Sequence, residues 1–366
     1  MILKGKIKKA IKMIKEEGLD ALCIGPSPDL EYLTGLNPLS DERFKALFLL
    51  KNGLYLYISP ELCVEESKEA LGEDVPVISW GDSEGFLKAI EKAKEQFGLN
   101  NFRIGVNGGI RAVDIIDISG VLNVTFLNAT RLMEELRIIK TRDEIEKLKK
   151  AAAVADEVAE KIAGYIKPGM TEKDIKEIVE KMLLEFGGEE LAFETIVASG
   201  PNSSKPHYNE YSRTIQEKDV IILDFGCRVG GFCSDISRTY FVGEPTEEQR
   251  KIYDIVLKAN IKGEVAVREG VTAEEVDRAA RNVIKEAGYG EFFFNRVGHG
   301  IGFGVHEAPY IMEGNKTVLK SGMAFSVEPG IYIPGKFGMR VEDIVVVTEN
   351  GCEVLNKATK DMIVIR

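Results

Sequence analysis

The chain has three histidines, His207, His299 and His306, all in its second half beside carboxylates set in strand-like runs. Imidazole together with several acid side chains is what a polypeptide uses to hold divalent metal and to move protons. The first acid pair lies in a hairpin. Val220-Ile221-Ile222-Leu223-Asp224-Phe225 is an apolar, β-branched run that reads as a buried strand, yet it carries Asp224 near its end. A lone carboxylate there is costly. The turn Arg228-Val229-Gly230-Gly231 reverses the chain into residues 232–241, which carry Asp235. Centred between Val229 and Gly230, this hairpin sets Asp224 opposite Asp235, with Cβ atoms roughly 5 Å apart.

A second hairpin repeats the arrangement. Residues 325–332 carry Glu328, residues 339–347 carry Glu342, and a reversal around Gly335 sets the two glutamates opposite each other. Two like charges about 5 Å apart repel by roughly 3 kcal/mol at an effective dielectric near 20, so such pairs call for a cation or a shared proton. Ionised, the four acids carry four negative charges, which two divalent ions would cancel. His299, in Val297-Gly298-His299-Gly300-Ile301-Gly302, adds a nitrogen where glycines let backbone approach closely. Four carboxylates and one imidazole suit Mn, Co, Fe or Zn. Taken singly, an acid on a strand is most often a turn or edge residue, and His207 or His306 a surface or hydrogen-bonded one. Four acids at mirrored positions carry the metal reading.

The elements that position these residues are legible in outline. Thr171, Thr246 and Thr272 cap helical patterns at about 171–186, 246–269 and 272–287. A charged, Ala-rich stretch runs from Thr130 to a stop at Lys167-Pro168-Gly169. Before it, helix and strand patterns alternate. Ile2, Leu3, Ile7, Ile11 and Ile14 share a helix face, and strands are predicted at 21–24, 46–50, 54–58, 75–79, 103–106 and 124–127. These patterns predict an α/β domain over residues 1–128 and an α+β domain over residues 129–366.

Composition narrows the function classes. A net charge of -11 over 366 residues argues against nucleic-acid or anionic-membrane partners, which need clustered Lys and Arg. No apolar run approaches the roughly 20 residues of a membrane span, and a cytoplasmic location is expected. The five cysteines are scattered without a CxxC pair, so reduced thiols are expected, with Cys227 and Cys233 acting as small buried hydrophobes. Three near-motifs fail. The run Gly330 to Lys336 lacks the Ser or Thr of a phosphate loop, since Phe337 follows. Gly298, Gly300, Gly302 and Gly304 do not open a helix after a strand, and His306-Glu307 has no second histidine three residues on.

With these residues in view, the second half resembles the "pita-bread" metallopeptidases, the methionine aminopeptidase and prolidase group. Within that group it is most similar to the Xaa-Pro dipeptidases (prolidases) and Xaa-Pro aminopeptidases. The matching segments are Ser199-Gly200-Pro201-Asn202-Ser203 to His207, Asp224-Phe225-Gly226 to Ser234-Asp235-Ile236-Ser237-Arg238-Thr239, Gly298-His299-Gly300 to His306-Glu307-Ala308-Pro309, Glu328-Pro329-Gly330, and Arg340-Val341-Glu342-Asp343. The first half resembles the creatinase/prolidase N-terminal domain more loosely.

The resemblance implies two divalent metal ions per chain, Mn, Co, Fe or Zn. Asp224 chelates one, His299 and Glu328 bind the other, and Asp235 and Glu342 bridge both. It also implies hydrolysis of the Xaa-Pro bond of dipeptides by a hydroxide held between the metals. Glu328 then shuttles the proton, His207 and His306 contact the substrate, and Arg340 takes the substrate carboxylate. A homodimer acting on short proline-containing peptides is expected. The alternatives are an Xaa-Pro aminopeptidase acting on longer peptides, and a non-catalytic or metal-free relative of the same fold, which would lack the full ligand set. Two departures stand out: Ser237 where the family commonly has Thr, and Phe232 where Tyr is frequent. Ser237 keeps a hydroxyl that can steady a ligating carboxylate.

Overall fold

Ala21–Ile24 and Ala46–Leu50 are buried along their whole length, as apolar strands at the centre of a covered sheet are. In the computed structural model, which describes residues 4–72 and 75–366, they sit in the middle of a six-stranded sheet. Its order is Val77–Trp80, Tyr55–Pro60, Ala46–Leu50, Ala21–Ile24, Arg103–Val106, Thr125–Asn128. The inner pairs are antiparallel and the outer pairs parallel. The helix Lys4–Glu16 buries Ile7, Ala10 and Ile14, with Ile11 half-buried beside them. Ile2 and Leu3, assigned to that face from the sequence, lie outside the described residues.

The chain forms two compact units, Met1–Leu136 and Arg137–Arg366. The sequence places the change of domain at 128/129. The charged stretch beginning at Thr130 is in fact two helices, Thr130–Arg137 and Arg142–Lys161. The former buries Leu132, Met133 and Leu136, and Lys9 Nζ donates to Leu136 O at 2.7 Å, which ties it to the first unit.

In the second unit, alternation along each strand decides what reaches the site. Val220–Phe225 pairs antiparallel with Ile196–Ser199 on one side and Ile236–Val242 on the other. Ile221, Leu223 and Phe225 pack with Ala155, Val158, Val179 and Leu183 of the helices Arg142–Lys161 and Glu172–Glu185. Asp224, between Leu223 and Phe225, therefore points to the opposite face. A five-stranded sheet holds Glu307–Ile311, Gly298–Gly300, Ala324–Val327, Asp343–Val347 and Cys352–Val354 in that order. Phe325, Val327, Val345 and Val347 pack under Val256, Ala259, Val276 and Ala280 of the helices Glu247–Ala266 and Ala273–Glu286. Capping boxes at Thr141, Thr171, Thr246 and Thr272 fix where these helices begin.

Candidate active site

The first hairpin turns on Gly230 and Gly231, whose positive φ angles of 58° and 81° give the two-residue reversal that matches strand twist. Val229 pairs with Phe232 and Arg228 with Cys233, so the hairpin centres between the two glycines, one residue beyond the position read from the sequence. Asp224 consequently faces Ser237, not Asp235. The slip moves the partner by two positions, and side chains alternate with period two. Asp235 therefore stays on the face of Asp224 as a diagonal neighbour.

The second hairpin has the register the sequence predicts. Val327 pairs with Asp343 on one side of the acids and Gly330 with Arg340 on the other, leaving Glu328 and Glu342 at mirrored positions between two ladders. Glycines let the backbones meet here. A methyl group at Gly226 would lie 1.9 Å from Ser234 O, and one at Gly298 would lie 1.8 Å from Ser326 O.

Asp235, His299 and Glu342 converge, each offering a ligand atom within 4.8 Å of the others, and all three are buried. His299 Nε2 lies 3.3 Å from Glu328 Oε1 and 3.6 Å from Asp235 Oδ2. Its Nδ1 is 3.1 Å from Gly300 O, which can only accept, so the ring proton belongs on Nδ1 and Nε2 carries a lone pair. Burial, and then the neighbouring His306, push the imidazole down to about 3, so it is neutral. These contacts therefore bring acceptor against acceptor.

The carboxylates bear the matching strain. Burial, then the charges of Glu342 and Asp224, hold Asp235 well above the usual carboxylate range; burial, then Glu328 and Asp224, do the same to Glu342. Glu328 is pushed up to about 7, mainly by burial. Asp224 Oδ1 and Glu342 Oε1 are buried and accept no hydrogen bond among the described residues. Lone pairs aimed at a common point, with two oxygens left over, fit a divalent cation with oxygen and imidazole ligands.

Arg340 has a different task from the one expected of it. Its Nε donates to Ser237 Oγ at 2.7 Å, one terminal nitrogen to Tyr332 Oη at 2.9 Å, and the other to Asp224 Oδ2 at 2.5 Å. Every nitrogen of the guanidinium is committed, and the side chain is only 3 % exposed. It therefore positions the acids instead of meeting a substrate carboxylate. Ser237 passes the constraint on, donating to Glu342 Oε2 at 2.7 Å. Ser326 does the equivalent for the second hairpin: its hydroxyl accepts from His299 N and donates to Glu328 Oε1, both at 3.0 Å. Neither Tyr332 nor Ser326 was picked out from the sequence, because only the folded register brings them here.

A cavity of about 380 Å³ opens onto this cluster, lined by all five acid and histidine candidates, by Arg340, and by His207 and His306. His306 stands edge-on to His299, with ring centroids 4.2 Å apart. The residue after it, Glu307, has its carboxylate buried between Lys140 Nζ at 2.6 Å and Arg137 at 2.7 Å. His207 is exposed at the mouth, after the turn Gly200–Ser204, which is pinned when Gly338 N donates to Ser203 Oγ at 2.8 Å. Phe193, Tyr208, Tyr211 and Arg296 also line the cavity and carry no recognisable spacing in the sequence. Cys227 and Cys233 are buried free thiols.

An acid-rich, metal-ready cavity built on paired hairpins, following an α/β unit, defines a metallopeptidase. Residues 146–349 match Metallopeptidase family M24 and residues 6–139 match the Creatinase/Prolidase N-terminal domain, and the chain belongs to this family, whose members use divalent metal. It is 38 % identical to the probable dipeptidase PepE of Mycobacterium tuberculosis, over 96 % of this chain and 93 % of that protein. The Xaa-Pro dipeptidase of Pyrococcus horikoshii is 34 % identical over 99 % of both chains. The crystal structure of prolidase from Thermococcus sibiricus superposes with a TM-score of 0.95 at 38 % identity, covering 100 % of this chain and 99 % of that one.

Proposed function

We propose that the protein hydrolyses the Xaa-Pro bond of dipeptides with two divalent ions held by Asp224, Asp235, His299, Glu328 and Glu342. The observation that carries this reading is four carboxylates and an unprotonated imidazole converging on one cavity, with a single guanidinium, that of Arg340, ion-paired among them. Full-length likeness to proteins named Xaa-Pro dipeptidase and prolidase supports the substrate class. When bound, the metal lowers the pKa of water and polarises the scissile carbonyl.

The chain's own residues supply the rest. Glu328, pushed up to about 7, is suited to hold a proton at Oε1 and pass it to the leaving nitrogen. His306 is neutral at pH 7, since burial and then the Arg296 charge hold it low, and its ring can donate to the substrate carbonyl. His207, across the mouth, can do the same from the other side. Ser237 and Arg340 keep Glu342 and Asp224 in place while charge changes around them. A cytoplasmic homodimer completes the proposal. No helix among the described residues is long and apolar enough to cross a membrane.

The test is a substrate panel, an Xaa-Pro dipeptide against an Xaa-Pro-Xaa tripeptide and a dipeptide lacking proline, with Mn, Co, Fe and Zn added separately. Fastest turnover of the Xaa-Pro dipeptide, with about two metal equivalents bound per chain, is expected. Faster cleavage of the tripeptide would make the enzyme an aminopeptidase, and no turnover with any metal would remove the enzymatic reading.

A further inference from the structure

Two arginines line the cavity, and their surroundings set them apart. Arg340 has each nitrogen committed to Ser237, Tyr332 and Asp224. Arg296 makes no hydrogen bond or ion pair among the described residues. Its half-buried guanidinium lies 4.9 Å from the centroid of the Tyr310 ring. A guanidinium steadied on an aromatic face and lacking an anion is a preorganised bidentate donor for a carboxylate.

Substrate geometry narrows what that donor would meet. In a dipeptide, three bonds of about 1.33, 1.46 and 1.52 Å separate the scissile carbonyl carbon from the terminal carboxylate carbon. A carboxylate on so short a tether has to be received inside the cavity that holds the scissile bond. Among the described residues lining it, Arg296 is the one uncommitted Lys or Arg. In a longer peptide the same position carries a neutral amide.

We propose that Arg296 binds the α-carboxylate of the dipeptide's C-terminal residue and so sets the preference for dipeptides over longer peptides. This rests on the hydrolytic reading above and names the group that gives it substrate length selectivity. The metal-loaded full-length protein and its Arg296→Gln and Arg296→Lys variants are assayed on an Xaa-Pro dipeptide and on its C-terminal amide. The unaltered protein should show a KM for the acid at least about ten-fold below that for the amide. Arg296→Gln should raise KM for the acid roughly ten- to thirty-fold, the scale of one hydrogen-bonded charge, leaving kcat within about two-fold and KM for the amide unmoved. Arg296→Lys should fall between.

Equal KM for acid and amide in the unaltered protein, or an equal KM rise on both substrates in Arg296→Gln at unchanged metal content, overturns the proposal. A protein that turns over neither substrate with any metal defeats the hydrolytic reading separately. Calorimetric binding of free proline to the unaltered and Arg296→Lys proteins then decides the role of Arg296, equal affinities overturning it.

Discussion

Glu342 and Asp343 are neighbours in the chain and point to opposite faces, into two buried clusters of charge built on different principles. Behind the strand, Asp343 accepts from Arg238 at 2.8 Å and pairs with Lys360, which also reaches Glu264 at 2.6 Å. Two acids there meet two cations. In front of it, Glu342, Asp224, Asp235 and Glu328 face one another, and Arg340 is ion-paired with Asp224. The same fold thus gives each buried acid a cation on one face of the strand and leaves the acids on the other face to confront each other. The deficit around Glu342 is local, and it is the signature of a site whose balance comes from a ligand.

Breaking the balanced cluster is expected to give the largest effect. Arg238→Met leaves Asp343 short of a cation and frees the carbonyls of Glu342, Ala358 and Thr359 that Arg238 now satisfies. It should cost about 3–5 kcal/mol and lower the melting midpoint by about 10 °C, equally with and without metal. A loss that metal restores would show that the two clusters are not independent.

Asp235→Asn should do the reverse. Activity falls by more than the roughly 100-fold typical of a residue that only supports a metal ligand, while the metal-free protein melts higher because a repelled carboxylate has gone. Full activity and full metal content in this variant would sink the metal reading. Next in size, Ser237→Ala should weaken metal binding about ten-fold without moving the metal-free midpoint, and Ser237→Thr should keep the wild-type affinity. Competition with a chelator measures both.

The smallest effect is a pH dependence of the metal-free protein. The folded-state value of Glu328, about 7, lies above its ordinary 4.5, so the folded state binds that proton more tightly. Its contribution to stability is present below pH 4.5 and is lost as pH rises through about 7. Glu264, also pushed up to about 7 by burial and then by Asp343, adds a fall of the same sign in both forms. The readout is therefore the gap in midpoint between metal-loaded and stripped protein, which should widen from pH 4.5 to 7 and stay flatter in Glu328→Gln.

How far the sequence reaches can be judged at the two hairpins. Gly335, with φ of 73°, is a single pivot, and counting outward from it gives the true register. Gly230 and Gly231 are adjacent candidates for the pivot, and counting from the wrong bond moves every pair. A two-residue slip preserves faces, so Asp235 stays on the face of Asp224 in either register. Helix starts were legible because capping boxes are local chemistry. The role of Arg340 was not, since whether a guanidinium is free or committed depends on Tyr332, Ser237 and Asp224, which only folding brings to it. The pairing of Glu307 with Lys140 and Arg137 spans about half the chain and has no sequence signature.

The near-contact of backbones at Gly226 and Gly298 constrains how such an enzyme can diverge. Any side chain at either position would drive apart the segments carrying Asp224, Asp235 and His299, so drift there is closed to the lineage. New substrate preferences have to arise instead at other positions of the cavity lining, such as Tyr208 and Tyr211, which carry none of the candidate ligands.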